Sequence, residues 1–575
     1  MHRFEVWAPT PERVDLILGE QAFPMVPASG GWWELEVPEA GPGTRYTFSL
    51  DGGPGRPDPR SASQPEGVDG PSEVVDHEAF QWSDSRWRGV PLPGAVLYEM
   101  HIGTFSAAGT FDGAVEHLPH LVELGIDAVE LLPVAEFSGN RGWGYDGVDL
   151  FAPHHAYGGP DGLKRLVDAC HAAGLGIVLD VVYNHLGPAG NYLPEFGPYF
   201  SSRHKTNWGD ALNFDGPDST EVRRFVVDNA LGWLRDYHLD GLRLDAVHAI
   251  VDDSALHLLE QMAAEVRALS AGLGRNLLLI AESDLNDPKF VRSLAAGGFG
   301  LDASWADEWH HALHAAMTGE RSGYYEDFGS LALLAKALKQ AWVYDGIWSP
   351  HRRRVHGRSP EGLPGDRFVV STQNHDQVGN RALGDRSGAL MSEGRLKVAA
   401  ALLLTSPFVP LLFQGEEWAA STPFQYFTDH PDPELGRAVS EGRRREFSSF
   451  GWEPEQVPDP QDRATFERSR LDWSEPAGKH KGMLDWYRKL LALRRSHPTA
   501  ADPRRDAIEV NFDEDAGWLV FSRPGLAVVA NIGSSAVAVP LEGFGKVLAA
   551  SDPAVEVEGG LVCLPPDTVG VLGTG

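Results

Sequence analysis

Cysteine is nearly absent: Cys170 and Cys563 are the only two in 575 residues. Two thiols supply neither a disulfide framework nor a zinc-ligand set, and so few of them fit a reducing compartment. No apolar run is long enough to span a bilayer. The start, Met1-His2-Arg3-Phe4-Glu5-Val6-Trp7, lacks the basic stretch and apolar core of a secretory signal, so a cytoplasmic, membrane-free location is expected. Cations are also scarce, with 49 Lys and Arg against 81 Asp and Glu, a formal charge of −32. A surface of that sign repels phosphate backbones and anionic lipid, which argues against nucleic acid and membrane as partners and for a neutral or cationic substrate. Acidic excess serving solubility alone would need no ligand.

What is present is the composition of a globular protein, 42% hydrophobic with 17 Trp, in a chain too long for one ordinary core. Residues 1–90 hold short strand-like runs (Phe4–Ala8, Arg13–Leu18, Trp32–Val37, Thr44–Leu50) punctuated by Gly and Pro, the pattern of a small β-sandwich. Trp32 and Trp33 there could stack on a sugar, although a Trp in a small sandwich is more often core. The Pro- and Gly-rich run 52–71 reads as an ordered connection lying on the next domain. From Ala95 the pattern becomes strand, loop, helix, repeated, which implies parallel pairing. Strand candidates at Ala95–His101, Ala128–Leu132, Gly176–Val182, Leu242–Asp245, Leu277–Glu282, Asp302–Trp305, Phe368–Ser371 and Pro410–Gln414 make eight, the number that closes a (β/α)8 barrel. That domain spans 91–497, with insertions at 186–217 and 321–366. A helix over Asp112–Leu124 follows the first strand, and another precedes Gly241, with Asp218 and Glu221 in capping-box positions. Residues 498–575 alternate short strands and turns, a second β-sandwich. The fold class is thus α/β, a barrel flanked by β-sandwiches.

Catalytic groups of such barrels come from the C-terminal ends of strands, and polar residues recur there. The third strand ends Asp180-Val-Val-Tyr-Asn-His185, the fourth Arg243-Leu-Asp245, the fifth Ala281-Glu282-Ser-Asp284, and the seventh leads into Asn374-His375-Asp376. Strand alternation points Arg243 and Asp245 to one side, a cation beside a carboxylate; a purely structural ion pair is the competing reading. Glycosidic cleavage needs one ionised and one protonated carboxyl. Asp245 beside Arg243 suits the nucleophile. Glu282, close to other carboxylates that would raise its pKa, suits the acid and then the base, and Asp376 suits a stabiliser of the oxocarbenium ion. His185 and His375 could donate to sugar hydroxyls, though either alone is more often structural. His248 is grouped with the substrate-binding candidates.

Matched in order and spacing, the four motifs resemble those of the α-amylase superfamily of retaining glycoside hydrolases, and the resemblance covers nearly the whole chain. It implies Asp245 as nucleophile, Glu282 as acid/base, Asp376 as stabiliser, Tyr145 stacked on the sugar being cleaved and Asp146 nearby. It also implies an early-set immunoglobulin-like fold for residues 1–90. The superfamily often carries a calcium near the insertion after the third strand. Although Asn184 matches a family position, the loop 186–200 offers only Glu195 as an acid, so no metal and no cofactor is expected. Within the superfamily, Leu97–Phe105, Ala281–Asp287 and Thr372–Asn380 are most similar to the trehalose-releasing hydrolases. That similarity implies cleavage of the α-1,4 bond beside the terminal trehalose of a maltooligosaccharide, and functional pairing with the synthase that makes such ends. Asp284, Asn286 and Asp287 lie just beyond the acid, where leaving-group hydroxyls should fall, and Trp208 is a candidate stacking wall; helix capping and packing are their alternative roles. A branching or debranching enzyme would use the same nucleophile with another acceptor. An inactive glucan-binding protein is the remaining alternative, and all three carboxylates are present.

Overall fold

The computed structural model describes residues 1–206, 208–448, 453 and 456–574. Eight parallel strands close a barrel: β1 (Leu97–Met100), β2 (Ala128–Leu131), β3 (Gly176–Val181), β4 (Gly241–Leu244), β5 (Leu278–Ala281), β6 (Ala303–Trp305), β7 (Phe368–Ser371) and β8 (Val409–Phe413). Closure is direct, because Leu97 is in register with both Ala128 and Leu411. The eight strand positions expected from the sequence are all present.

The period-2 alternation of these strands sorts the core into two parts. Leu97, Ala128, Val178, Leu278, Ile280, Val369 and Leu411 point inward and pack on one another. Val129, Leu131, Ile177, Leu179, Leu242 and Leu244 belong to the larger cluster shared with the surrounding helices. The same alternation turns Glu99, Glu130, Asp180 and Arg243 inward, one step above the apolar layer. All four are buried, so a polar storey stands between the barrel floor and its mouth.

Two helix expectations change. The helix after β1 is broken into Phe111–Val115 and Leu118–Leu124. Pro119 sits in the first turn of the second piece, where its missing N–H and fixed φ suit a start and not an interior. The helix Ser219–Asp236 forms, but Asp218 has φ +60 and makes no capping hydrogen bond, so the capping box does not. Insertion 321–366 contributes a helix, Leu331–Gln340, and a hairpin, Asp345–Ser349 with Arg354–Gly357. Among the described residues no helix is long and apolar enough to cross a membrane.

The N-terminal sandwich pairs His2–Trp7 with Trp32–Val37 in one sheet and Val14–Leu18 with Arg45–Leu50 in the other. Trp32 and Trp33 pack against its core, and Trp33 Nε1 donates to the Ala8 carbonyl at 2.9 Å. The 52–71 run lies on the barrel. Arg60 pairs with Asp228 at 3.0 Å, and Asp69 accepts from the Tyr192 hydroxyl at 2.5 Å. At the other end a five-stranded and a three-stranded sheet form the C-terminal domain. It is joined to the barrel helix Glu393–Leu404 by Arg395 and Asp567 at 2.8 Å.

Candidate active site

β4 delivers Arg243 and, two residues on, Asp245. Arg243 Nη1 donates to Asp245 Oδ1 at 2.9 Å and to Asp180 Oδ2, from β3, at 2.7 Å, and the guanidinium lies 4.2 Å from the centre of the Trp305 ring. Asn184 Nδ2 donates to Asp245 Oδ2 at 2.8 Å, so both oxygens of the candidate nucleophile are held. The ladder continues past the strand ends: the Asp245 amide donates to the Val181 carbonyl, and the Glu282 amide to that of Leu244, each at 3.0 Å. Ala246 takes a left-handed backbone (φ +40), and its N–H donates to Glu282 Oε2 at 2.5 Å. For a residue bearing a Cβ that conformation is costly and is held by its surroundings.

Glu282 enters from the end of β5. Burial pushes its carboxyl well above the ordinary range; Arg243 opposes this, while Asp245, Asp307 and Asp376 add to it. Burial, ahead of the neighbouring acids expected from the sequence, is the main cause of this shift. Asp376 stands in the first turn of the helix His375–Gly379, whose cap Asn374 accepts from the Asp376 and Gln377 amides, and Asn380 Nδ2 donates to Asp376 Oδ1 at 2.6 Å. Asp180 is pushed up to about 6 by burial, with Arg243 opposing.

These groups open into one cleft of about 730 Å³, within the range of small-molecule sites. Tyr145, Asp146, His185, Trp208, Arg243, Asp245, His248, Glu282, Asp284, His375 and Asp376 all line it. The rings of His185 and His375 also have protein partners. His185 Nδ1 faces Asn184 Oδ1 at 2.5 Å and its Nε2 faces the Tyr145 carbonyl at 3.1 Å. His375 is engaged by Glu99 and Tyr145. Trp208 is half exposed and stacks on His185, with centroids 5.6 Å apart.

Beyond Glu282 the expectations divide. Asp284 Oδ2 accepts from Arg352 Nη1 at 2.9 Å. Burial would raise its pKa, but Arg352 and His248 outweigh it and the net shift is downward. Asn286 and Asp287 do not line the cleft. Asn286 is buried, with Nδ2 donating to the Tyr344 carbonyl at 3.0 Å, so it anchors the insertion. Asp287 closes a turn by accepting from the Lys289 amide at 2.9 Å. The wall includes residues that sequence reasoning missed: Asp307 at the end of β6, then His311, Tyr324, Tyr344, His351 and Arg352. Burial, then Asp376, pushes Asp307 up to about 6. A sequence signal existed for Asp307 alone, two residues past a barrel strand. Glu99 and Glu130 were also legible as charges at inward positions of apolar strands.

Glu195, the one acid of loop 186–200, pairs with Arg56. Among the described residues, Glu136, His154 and His155 form one cluster of possible metal ligands and His204, Asp215 and Asp253 another. None of these residues lines the cleft.

A closed parallel barrel between two β domains, with three acids from the ends of β4, β5 and β7 in one cleft, defines the alpha-amylase class of glycoside hydrolase. The family model described as "Alpha amylase, catalytic domain" matches residues 77–208, "Carbohydrate-binding module 48 (Isoamylase N-terminal domain)" matches 1–64, and a domain of unknown function matches 503–571. The malto-oligosyltrehalose trehalohydrolase of Arthrobacter ramosus is 54% identical over 95% of either chain. That of Rhizobium sp. (strain M-11) is 49% identical over 99% of this chain and 97% of its own. A crystal structure from Salmonella typhimurium, provisionally described as an alpha amylase, superposes with a TM-score of 0.92 at 41% identity, covering 100% of this chain and 97% of that one. The chain belongs to the malto-oligosyltrehalose trehalohydrolase family.

Proposed function

We propose that the chain is a retaining hydrolase that cuts the α-1,4-glucosidic bond beside the terminal trehalose of maltooligosyltrehalose, releasing trehalose and a maltooligosaccharide. The observation that carries this reading is the meeting, in one cleft, of a carboxylate clamped by Arg243 and Asn184, a buried carboxyl whose pKa is raised, and a third acid from another strand. Asp245 attacks the anomeric carbon while Glu282 gives its proton to the departing glycosidic oxygen, leaving a glycosyl ester. Glu282, now ionised, takes a proton from water, which attacks the ester and frees the sugar with its anomeric configuration retained. Asp376 faces the oxocarbenium-like transition state. Tyr145 stacks on the sugar, with Asp146 nearby. Asp284, His248 and Trp208 contact the leaving trehalose.

Such an enzyme depends on a synthase that makes trehalose-ended chains, and we assign it that functional pairing, in the cytoplasm. The free thiols Cys170 and Cys563 fit that compartment. Chromatography of products from maltooligosyltrehalose tests the reading, with free trehalose expected. Equal rates on plain maltooligosaccharides, or new α-1,6 branches, would overturn it.

A further inference from the structure

Beneath the acids the polar storey has its own wiring. His375 Nδ1 lies 2.6 Å from Glu99 Oε1, and the His375 amide donates to Glu99 Oε2 at 2.8 Å. On the other side of the ring, Nε2 lies 2.7 Å from the Tyr145 hydroxyl, which is itself 2.6 Å from Asp180 Oδ2. Asp180 Oδ2 also accepts from Arg243 Nη1, and the same nitrogen donates to Asp245. A carboxylate only accepts, so Nδ1 carries a proton. The Tyr145 hydroxyl has one proton to give, and the oxygen shared with Arg243 is the charge-assisted acceptor. Nε2 must then donate to the Tyr145 oxygen, and the ring carries both protons. We propose that Glu99 is a positioning residue for the reaction above: it holds His375 doubly protonated, and the chain His375, Tyr145, Asp180, Arg243 fixes the orientation of the Asp245 carboxylate.

The charged groups facing His375 agree with this state. Glu99 comes from β1, Glu130 from β2, Arg243 from β4, and Asp376 from the same short helix, with Asp180 beyond Tyr145 and His101 after β1. Burial works against an imidazolium, but Glu99 and Asp376 outweigh it and the net shift is upward. Glu130 is in register with Glu99 on the neighbouring strand. Burial and then Glu99 push its carboxyl far up, so it adds a proton and not a second charge to the storey.

The expected rates rest on the proposed hydrolysis; the protonation of His375 does not. In the full chain labelled with ¹⁵N-histidine, His375 is assigned by the signal lost in His375→Gln. At pH 7.5 both its nitrogens should be protonated in the parent, and one should be bare in Glu99→Gln. A neutral ring in the parent, or no change in Glu99→Gln, would overturn the proposal. Glu99→Gln should lower kcat about tenfold with little change in KM, and Glu99→Asp should restore the double protonation and part of the rate. The double variant Glu99→Gln/His375→Gln should be no slower than His375→Gln alone; additive losses would mean that Glu99 acts elsewhere. Should Glu99→Gln not fold, the parent's nitrogen shifts and Glu99→Asp decide. If maltooligosyltrehalose is not cleaved at all, the proposed function falls and the shifts still report on Glu99.

Discussion

On the floor of the cleft, Arg243 and Asp180 meet with side chains 3% and 4% exposed, on adjacent strands of one barrel. On the wall of the cleft beyond Glu282, the proposed leaving side, Asp284 and Arg352 meet with side chains 42% and 26% exposed, Arg352 coming from the tip of an inserted hairpin. Both are carboxylate–guanidinium pairs of ordinary length. They differ in what surrounds them. A buried pair whose partner is removed leaves an uncompensated charge and costs about 3–5 kcal/mol, whereas exposed pairs contribute roughly 0–1 kcal/mol. The floor is therefore preorganised and unforgiving, which suits charge stabilisation in a transition state. The wall can be altered with little penalty to folding, which suits the selection of one leaving group over another.

Substitutions in the two regions should differ accordingly, the largest effects falling on the floor. Asp245→Asn should fold and lose turnover by about 10⁴-fold or more, because the amide cannot form the ester; near-normal rates would remove Asp245 from the nucleophile's role. Glu282→Gln should slow natural substrate by about 10²–10⁴-fold while sparing activated aryl glucosides, whose leaving groups need no proton. Equal losses on both would mean that the acid lies elsewhere.

Behind the floor, Glu416 tests burial without catalysis. Its carboxyl accepts from the Thr372 hydroxyl at 2.6 Å and the Tyr487 hydroxyl at 2.8 Å, and burial pushes it from 4.5 up to about 7. Between those values the folded chain binds a proton that the unfolded chain does not. Stability therefore falls as pH rises from about 4.5 to about 7, by about 3 kcal/mol in all, and this contribution is flat above. Glu416→Gln should match the parent in thermal midpoint below pH 4.5 and exceed it at pH 8; a constant difference across that range would refute the assignment.

On the wall, Arg352→Ala should raise KM for maltooligosyltrehalose about tenfold and leave aryl glucosides nearly untouched. A comparable loss on both substrates would place Arg352 with the floor. The smallest effect is expected for Asp287→Ala, whose rates should stay within about twofold of the parent because its carboxylate closes a turn and pairs with the exposed Arg358 at 3.7 Å, away from the cleft; a larger loss in kcat would return it to the substrate.

The contrast also explains what could be read without coordinates. β3, β4, β5 and β7 announce themselves by alternation and by polar residues at their ends, because strand periodicity and barrel topology are local rules carried by each segment. Asp245, Glu282 and Asp376 follow from those rules. The wall does not. That Asn286 faces Tyr344 and not the substrate depends on where a chain 58 residues away returns. Arg352 reaches Asp284 only because the 345–357 hairpin folds back over the cleft. The engagement of both rings of His185 and His375 was hidden for the same reason, since their partners Tyr145 and Glu99 belong to distant segments. Asp218 shows the opposite error: the local capping signal was present, but its backbone is left-handed and the bond does not form.

The Ala246 peptide bears on spacing. Its N–H grips Glu282, the Val247 amide donates to the Glu282 carbonyl at 3.0 Å, and the Glu282 amide returns to Leu244. Asp245 and Glu282, the proposed nucleophile and acid, are thus tied to the same short piece of rim. The gap between the two carboxyls is set by these backbone bonds, whereas Arg352 is placed by its hairpin, which Ser349 and the His351 amide tie to Asp327 and His356 ties to the Asp284 carbonyl. Changes in the hairpin can therefore reshape the mouth while the spacing of Asp245 and Glu282, held by a separate set of bonds, is kept.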